Sequence, residues 1–263
     1  MRVDLPINGR SRRVDFDPQT SPLLLGLSRV ALRAIKELPN GLLRIGAQVA
    51  NSDLIASTLV RGRYPLLCEA LMAGEPRNVR GKPPLVVNLD PPDVIVAMTA
   101  FGAEIEVLSP DRSKRRIPID ALHRFSADAA RRETVLQRGE IMTAVMLPAP
   151  PAGHQRYGAV RAVPGERALV SVAVIIALTA GRIDVARVAF GCASHRPWRS
   201  RQAEEMLLGQ PATSRSYERA AQVATGGAVG RAHSAVEIDV LKRALCRTLA
   251  DCVPPPSTST TGS

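Results

Sequence analysis

Lysine and aromatic residues are scarce in this 263-residue chain, and it has no long apolar run. The only lysines are Lys36, Lys82, Lys114 and Lys242, so arginine supplies 31 of the 35 cationic side chains. Aromatic residues make up 3% of the sequence, which leaves few side chains on which nucleic-acid bases could stack. The formal charge of +11 therefore does not by itself indicate a nucleic-acid partner.

Signals for export and for membrane insertion are also missing. The N-terminus has no continuous apolar stretch, and the longest uncharged apolar run, 168–180, is shorter than the ~20 residues that span a bilayer. We interpret that run as a buried strand. Two disulfides would be possible in an exported chain, but the four cysteines are scattered and form no C-x-x-C pair. We expect a cytoplasmic protein with reduced thiols and no membrane partner.

Motifs of common catalytic sites are absent as well. The sequence contains no H-E-x-x-H, no Walker A motif and no G-x-S-x-G elbow, and its four histidines lie far apart. The glycine-rich stretch 226–230 is interpreted as a loop between helices, because no strand of a βαβ unit precedes it. Arginine clusters are spread along the chain, which favours a solvated surface over a nucleic-acid track.

Alternation and turn residues predict a β-hairpin at the N-terminus and mixed α and β structure from residue 41. Val3, Leu5 and Ile7 alternate with polar residues ahead of Asn8-Gly9, a pattern typical of hairpins. Apolar residues in 22–37 recur with helical spacing. Further patterns predict strands at 42–47, 104–108, 115–117, 134–136 and 141–147, and helices that begin near Asn51, at Tyr64-Pro65 and at Asp93.

A proline-rich segment, 148–153, is the expected domain boundary. Beyond it, strand patterns at 156–161, 169–178 and 183–190 precede helical patterns at 199–208, 214–224 and 234–250. This order favours an α+β unit with helices on one face of an antiparallel sheet. The tail, 253–263, is rich in Pro, Ser and Thr and is expected to be disordered.

Four stretches resemble, in order, the flavin subunit of the molybdenum hydroxylases, the family of xanthine dehydrogenase, aldehyde oxidoreductase and carbon monoxide dehydrogenase. Leu43–Ala47, continued by Asn51–Leu54, resembles the family's LRIGALVTNSDLA segment. Helix 59–73 resembles the helix that leads to the second flavin loop. Stretch 139–148 resembles GEIITAVELP, and 168–204 resembles parts of the C-terminal domain. The resemblance implies an α+β protein: an incomplete FAD-binding PCMH-type (vanillyl-alcohol-oxidase-like) domain, followed by a CO dehydrogenase flavoprotein C-terminal-type domain.

The first 40 residues depart from this pattern. Ile7–Arg10 and Val14–Pro18 resemble the start of the family's small 2Fe–2S subunit, while the first flavin loop, expected before Gly41, is absent. The resemblance thus implies a truncated chain with domains at 1–40, 41–148 and 154–252. The cluster-ligating cysteines are also absent, so neither an iron–sulfur cluster nor molybdenum is expected in this chain. An in-frame deletion that joined two neighbouring genes is one hypothesis for its origin.

The second flavin loop of the family, RNxATVGGNL, supplies most candidate site residues. Arg77-Asn78-Val79 fits its start, and Val86–Leu89 stands where the family has GGNL. β-Branched residues resist the positive φ that those glycines adopt. Asp93 matches an acidic residue that helps bind the flavin nucleotide, while the family's lysine in YxKVR falls at Ala159. The cofactor-binding candidates are Asn78, Val87, Asn88, Leu89, Asp93 and Ile141, and no catalytic or metal-binding residue is assigned.

By this resemblance the chain is the FAD-binding subunit of an oxidoreductase. It would pass electrons from an iron–sulfur partner through FAD to an acceptor, beside a molybdenum-binding large subunit and a 2Fe–2S small subunit. Whether it is competent as an enzyme stays open. The alternative is a truncated, catalytically silent remnant or partner-binding scaffold that no longer holds FAD. A basic nucleic-acid-binding protein is a third class, which rests on charge alone.

Overall fold

The computed structural model describes residues 2–7, 10–15, 32–74, 92–122, 134–163, 168–192, 195–229 and 235–253. Within these residues the strands form three sheets, and every strand pair is antiparallel. Helices accompany the two larger sheets. The α+β class predicted from the sequence is confirmed.

The N-terminal hairpin is formed as predicted. Strand β1 (Arg2–Ile7) pairs with β2 (Arg10–Asp15), and the register places Arg2 opposite Asp15 and Ile7 opposite Arg10. Two residues, the predicted Asn8-Gly9 turn, connect the strands and lie outside the described residues. Pairing between two short strands around such a dipeptide is what the alternation of Val3, Leu5 and Ile7 indicates.

A five-stranded sheet forms the first of the larger units. Its strands lie in the order β3-β4-β7-β5-β6. Leu43 and Ile45 alternate toward one face, where they join the apolar core. The bounds are β3 Ile35–Glu37, β4 Leu43–Gly46, β5 Glu104–Leu108, β6 Lys114–Pro118 and β7 Ile141–Leu147.

Two predictions for this unit are wrong. The helix expected over 22–37 does not reach its predicted end, because Ile35–Glu37 is a strand whose Ile35 lies opposite Ile45. Pairing with β4 decides the conformation of these three residues, and local helical spacing does not report it. The strand expected at 134–136 is not formed either, and the Val135 amide bonds instead to the Leu122 carbonyl.

Four helices pack on the apolar face of this sheet. The N-cap of α1 is Ala50, whose side chain makes no capping bond, so the expected capping by 51–53 is not observed. The hydroxyl of Ser57 caps α2 by accepting from the Val60 amide. The helices are α1 Asn51–Ala56, α2 Thr58–Arg63, α3 Pro65–Gly74 and α4 Pro92–Phe101.

A four-stranded sheet in the order β11-β10-β9-β8 forms the second unit. Val172 and Val174 face helices α5 to α7, whereas Ala173 and Ile175 belong to the core that includes α4. Burial of both faces explains the continuous apolar run of the central strand β9. The bounds are β8 His154–Val160, β9 Val170–Thr179, β10 Arg182–Cys192, β11 His195–Arg199, α5 Arg201–Leu207, α6 Ser214–Val229 and α7 Ala235–Cys252.

The helices of the second unit follow the predicted order, with one difference. Helix α6 continues to Val229, so residues 226–229 are helical and not part of a loop. Helix α7 lays Leu241, Leu245 and Leu249 on the sheet, as its apolar stripe predicts. None of the helices in the described ranges has the length and apolar character needed to cross a membrane.

Candidate functional site

Asp93 is the predicted site residue whose surroundings are best defined. It lies in the first turn of α4 and is 2% exposed. Its Oδ1 accepts a short hydrogen bond from the Tyr157 hydroxyl, and its Oδ2 lies 2.8 Å from Nη2 of Arg161. Both carboxylate oxygens are therefore engaged by the second unit of the same chain.

Arg161 connects this carboxylate to the preceding helix. Its Nη2 also donates to the carbonyl oxygen of Ala73, in the last turn of α3, at 2.9 Å. The last carbonyls of a helix have no intrahelical partner, so the guanidinium satisfies one that would otherwise need water. The side chain is only 16% exposed, which shields its bond to Asp93 from solvent.

Tyr157 and Arg161 share one face of the β8 segment, with Ala159 between them. Burial raises the pKa of the Tyr157 phenol well above its usual value, and the Asp93 carboxylate raises it further. The phenol therefore remains neutral and donates its proton to Asp93. Ser171, directly opposite Ala159 in the β8–β9 register, lies close enough to lower the Tyr157 pKa slightly.

The seam between the units carries three further contacts from β8 to helices α2 and α3. The Gln155 side chain donates to the Arg63 carbonyl at 2.9 Å. Nη1 of Arg156 lies 3.0 Å from Oε1 of Glu69, and the Tyr157 amide donates to the other oxygen of Glu69 at 2.7 Å. This strand is thereby aligned on the first unit over four consecutive turns of contact, ending at Arg161.

Ile141, another predicted site residue, begins β7 opposite Leu108. The glutamate before it is held firmly: Nε and Nη2 of Arg115 each lie 2.7 Å from one oxygen of Glu140. Arg115 lowers the pKa of Glu140 to about 2, an effect that outweighs burial. The GEI segment therefore belongs to a network other than that of Asp93, and the hydrogen bonds do not join Ile141 to it.

Gly139 is required by the geometry of this same segment. Its φ of +85° lies in the region that residues with a side chain rarely adopt, and a Cβ there would come within 2.8 Å of Pro110 Cγ. The Gln137 amide then bonds to Glu140 at 2.7 Å, which completes the turn into β7. Glycine and glutamate in the GEI motif are explained by local structure, without a bound cofactor.

The other four candidates, Asn78, Val87, Asn88 and Leu89, lie outside the described residues. Their assignment to cofactor binding stays a prediction. Sequence reasoning quoted Tyr157 and Arg161 in a motif without assigning them a role. Their spacing of four along a strand, which places them on one face, is the signal that could have identified them as a pair.

Two buried polar atoms bear on whether the described residues fit a cofactor. Within the described residues, Oδ1 of Asn51 and Oγ of Ser171 are buried without a hydrogen-bond partner. Ser171 faces the same side of the sheet as Tyr157, next to the exposed Ala159. An unpaired buried hydroxyl fits a site that receives a further polar group. These residues can bind and orient such a group, and FAD would supply the redox chemistry itself.

Two family profiles match the chain one after the other. A profile described as the FAD binding domain in molybdopterin dehydrogenase matches residues 12–150. The CO dehydrogenase flavoprotein C-terminal domain matches residues 156–237. The first match begins within the N-terminal hairpin and ends shortly before β8, and the second begins within β8.

Curated relatives carry related descriptions. The aldehyde oxidoreductase FAD-binding subunit PaoB of Escherichia coli is 29% identical over 237 residues, covering 72% of this chain and 73% of the relative. The glyceraldehyde dehydrogenase medium chain of Sulfolobus acidocaldarius is 27% identical, covering 71% and 66%. The carbon monoxide dehydrogenase medium chain of Afipia carboxidovorans is 25% identical, covering 68% and 62%. The chain thus spans between three fifths and three quarters of their length.

Solved structures show the same fold. The Cu,Mo-CO dehydrogenase structure aligns with a TM-score of 0.73 at 21% identity, covering 84% of this chain and 78% of that one. The carbon monoxide dehydrogenase of Hydrogenophaga pseudoflava aligns with the same TM-score and coverage at 25% identity. Because the first profile alone matches more than half of the chain, this protein belongs to the family of the FAD binding domain in molybdopterin dehydrogenase.

Proposed function

We propose that the chain binds FAD as a subunit of a molybdenum-hydroxylase-type oxidoreductase, and that electrons reach FAD from an iron–sulfur partner and leave to an acceptor. The observation that carries this proposal is the ordered match of the two flavoprotein domains over residues 12–150 and 156–237. The relatives are described as FAD-binding subunits or medium chains, names that imply further subunits. A molybdenum-binding large subunit and a 2Fe–2S small subunit are the partners we propose.

In this proposal, the residues of the seam provide binding and orientation. Arg161 supplies a cation beside the segment 75–91, which contains the candidates Asn78, Val87, Asn88 and Leu89. Ser171 supplies an unpaired hydroxyl on the face of β8 and β9 that carries Tyr157. FAD, when bound, would accept and release electrons, and the chain's own groups would hold it and exclude water.

We further propose that iron and molybdenum are held by the partner subunits. The described ranges contain no group of three or more His, Cys, Asp or Glu side chains that could hold a metal ion. Metal analysis of the purified chain tests this directly. Stoichiometric iron or molybdenum in the isolated chain would contradict it.

Flavin titration tests the main proposal. FAD is added to the purified chain while flavin fluorescence and the visible spectrum are recorded, and we expect saturable binding at one equivalent with a perturbed flavin absorption band. FMN and riboflavin serve as controls for recognition of the adenine nucleotide. Circular dichroism confirms that the sample is folded. A folded protein without saturable FAD binding would overturn the proposal.

A scaffold without FAD is the second candidate, and specific observations favour it. Both oxygens of Asp93 are engaged within the chain, so the acidic candidate offers no free carboxylate oxygen to a nucleotide. Ala159 stands at the family's lysine position, and Val86 and Val87 stand at its glycine positions. If FAD does not bind, co-purification of the chain with its proposed large subunit decides whether it acts as a scaffold.

The resemblance of residues 3–24 to the start of a 2Fe–2S subunit stays a hypothesis. The flavin domain profile begins at residue 12 and overlaps this region. Sequencing the same genomic interval in related strains tests the proposed fusion of two genes. The short form found in every strain would rule out a recent deletion.

A further inference from the structure

Arg161 contacts the chain on both sides of the segment 75–91. Ala73 precedes that segment by two residues and Asp93 follows it by two. A single nitrogen, Nη2 of Arg161, lies 2.9 Å from the Ala73 carbonyl oxygen and 2.8 Å from Oδ2 of Asp93. The ends of the segment are thus joined through one side chain that comes from the other unit.

The helices on either side make this contact favourable. Ala73 lies in the last turn of α3, where a cation interacts well with the helix dipole, and Asp93 lies in the first turn of α4, where an anion does. Because Asp93 is almost fully buried, loss of the guanidinium would leave an uncompensated charge. The contact between Arg161 and Asp93 is consequently one that the fold cannot easily replace with water.

Tyr157 limits the freedom of the carboxylate further. The phenol occupies Oδ1 and the guanidinium occupies Oδ2, so the orientation of the Asp93 side chain is determined from β8. Direct binding of a nucleotide by this carboxylate would require one of these bonds to break. The geometry favours an indirect role for Asp93.

We propose that Arg161 is a positioning residue that holds the ends of segment 75–91 through Ala73 and Asp93. This rests on the proposed function only where FAD is concerned, because the segment contains the residues assigned to the cofactor. The second unit, through one arginine next to β8, then controls the flavin loop of the first. Arg161 itself need not touch the cofactor.

Proteolysis of the segment provides a test that does not need FAD. Arg77, Arg80 and Lys82 are trypsin sites within it. In the full chain, Arg161→Ala is expected to increase the cleavage rate at these three sites about tenfold, as loss of hydrogen bonds to a charged group predicts. Arg161→Lys should give an intermediate rate, because an ammonium keeps the charge but not the planar fork.

Arg156→Ala is the matched control. Arg156 lies on the same strand, pairs with Glu69 across the same seam and contacts the Asp251 carbonyl, but touches neither end of the segment. We expect this variant to change cleavage at the three sites less than twofold. Thermal unfolding of every variant is recorded, so that a general loss of stability is separated from local opening.

FAD affinity is the second readout. If the chain binds FAD, Arg161→Ala should weaken binding about tenfold, and Asp93→Asn combined with Arg161→Ala should weaken it no more than the single change. Equal cleavage rates in Arg161→Ala and the Arg156 control would overturn the proposal. A chain that binds no FAD would refute the proposed function, while the cleavage rates would still decide the role of Arg161.

Discussion

Gly158 of β8 and Thr248 of α7 lie so close together that a Cβ on the glycine would come within 2.3 Å of Thr248 Oγ1. The threonine cannot easily turn away, since its hydroxyl donates to the Ala244 carbonyl at 2.7 Å within the helix. The missing side chain at 158 lets α7 pack directly on the strand that also carries Tyr157 and Arg161. Packing in the second unit and the geometry of the seam are therefore linked through β8.

Gly158→Ala is expected to lower the free energy of unfolding by about 1–3 kcal/mol, because the added methyl overpacks a buried contact. Urea unfolding followed by circular dichroism measures this. The double variant Gly158→Ala/Thr248→Ala should recover most of the loss relative to Thr248→Ala alone. Gly62→Ala in α2, which meets nothing within 4 Å, is the control and should stabilise by up to ~1 kcal/mol. A fully stable Gly158→Ala would contradict the contact.

Glu140 should make stability depend on acid. Its folded-state pKa of about 2 lies below the ordinary 4.5, so its contribution is present above pH 4.5 and is lost as the pH falls toward 2. The shift corresponds to at most about 3 kcal/mol. Glu140→Gln is expected to lower the free energy of unfolding by about 2 kcal/mol at pH 7 and to have little effect near pH 2.

Urea unfolding from pH 2 to pH 7 checks this prediction. Replacing the exposed Glu205 by Gln is the matched control and should leave both the stability and its pH dependence nearly unchanged. An equal effect of Glu140→Gln at pH 2 and pH 7 would show that the pair with Arg115 does not contribute through charge.

Glu204 supports the turn from β11 into α5. Its carboxylate is 5% exposed and accepts from Arg199 through Nε at 2.5 Å and Nη2 at 2.9 Å, and from the Val188 amide at 3.0 Å. Glu204→Gln leaves the half-buried guanidinium without its counter-charge and is expected to cost about 3 kcal/mol.

Thermal unfolding of Glu204→Gln measures this loss as a lower Tm. The neighbouring Arg201→Ala is the control, because Arg201 is 68% exposed and its pair with Glu204 should contribute less than ~1 kcal/mol. Equal Tm shifts for the two variants would be evidence against the central role of the Arg199 pair.

Cys252 is expected to be unreactive in the folded protein. Burial raises the pKa of its thiol to about 12, so almost none of it is thiolate at pH 8. Burial also raises the pKa of Cys68. Titration with Ellman's reagent at pH 8 should therefore label neither residue in the native state and both in 6 M guanidinium.

The variant Cys252→Ala makes this assignment specific. It should react as the wild type does when native and lose one equivalent of thiol when unfolded. Rapid labelling of one extra equivalent in the native wild type, absent from Cys252→Ala, would show that the end of α7 opens readily.

Most of the secondary structure followed from local patterns. Apolar alternation and turn residues predicted β1, β2, β5 and β7, and the apolar stripe of Leu241, Leu245 and Leu249 predicted α7. Such patterns work because periodic burial leaves the same period in the sequence. They failed for Ile35–Glu37, where a strand partner eight or more residues away decides the conformation.

The candidate site was predictable only in part. Asp93 was singled out by its motif, but its partners Tyr157 and Arg161 are 64 and 68 positions away. No local period reports a contact across such a distance. Four other candidates, Asn78, Val87, Asn88 and Leu89, lie outside the described residues and stay predictions.

By itself, the sequence determined the α+β class, the order of the elements and the likeness to flavin subunits of molybdenum hydroxylases. The tertiary structure decided how Asp93 is used: its charge is neutralised by Arg161 and its second oxygen is taken by Tyr157. The physical reason is that a buried carboxylate must be paired, and only the packing of β8 against α3 and α4 determines which groups pair with it.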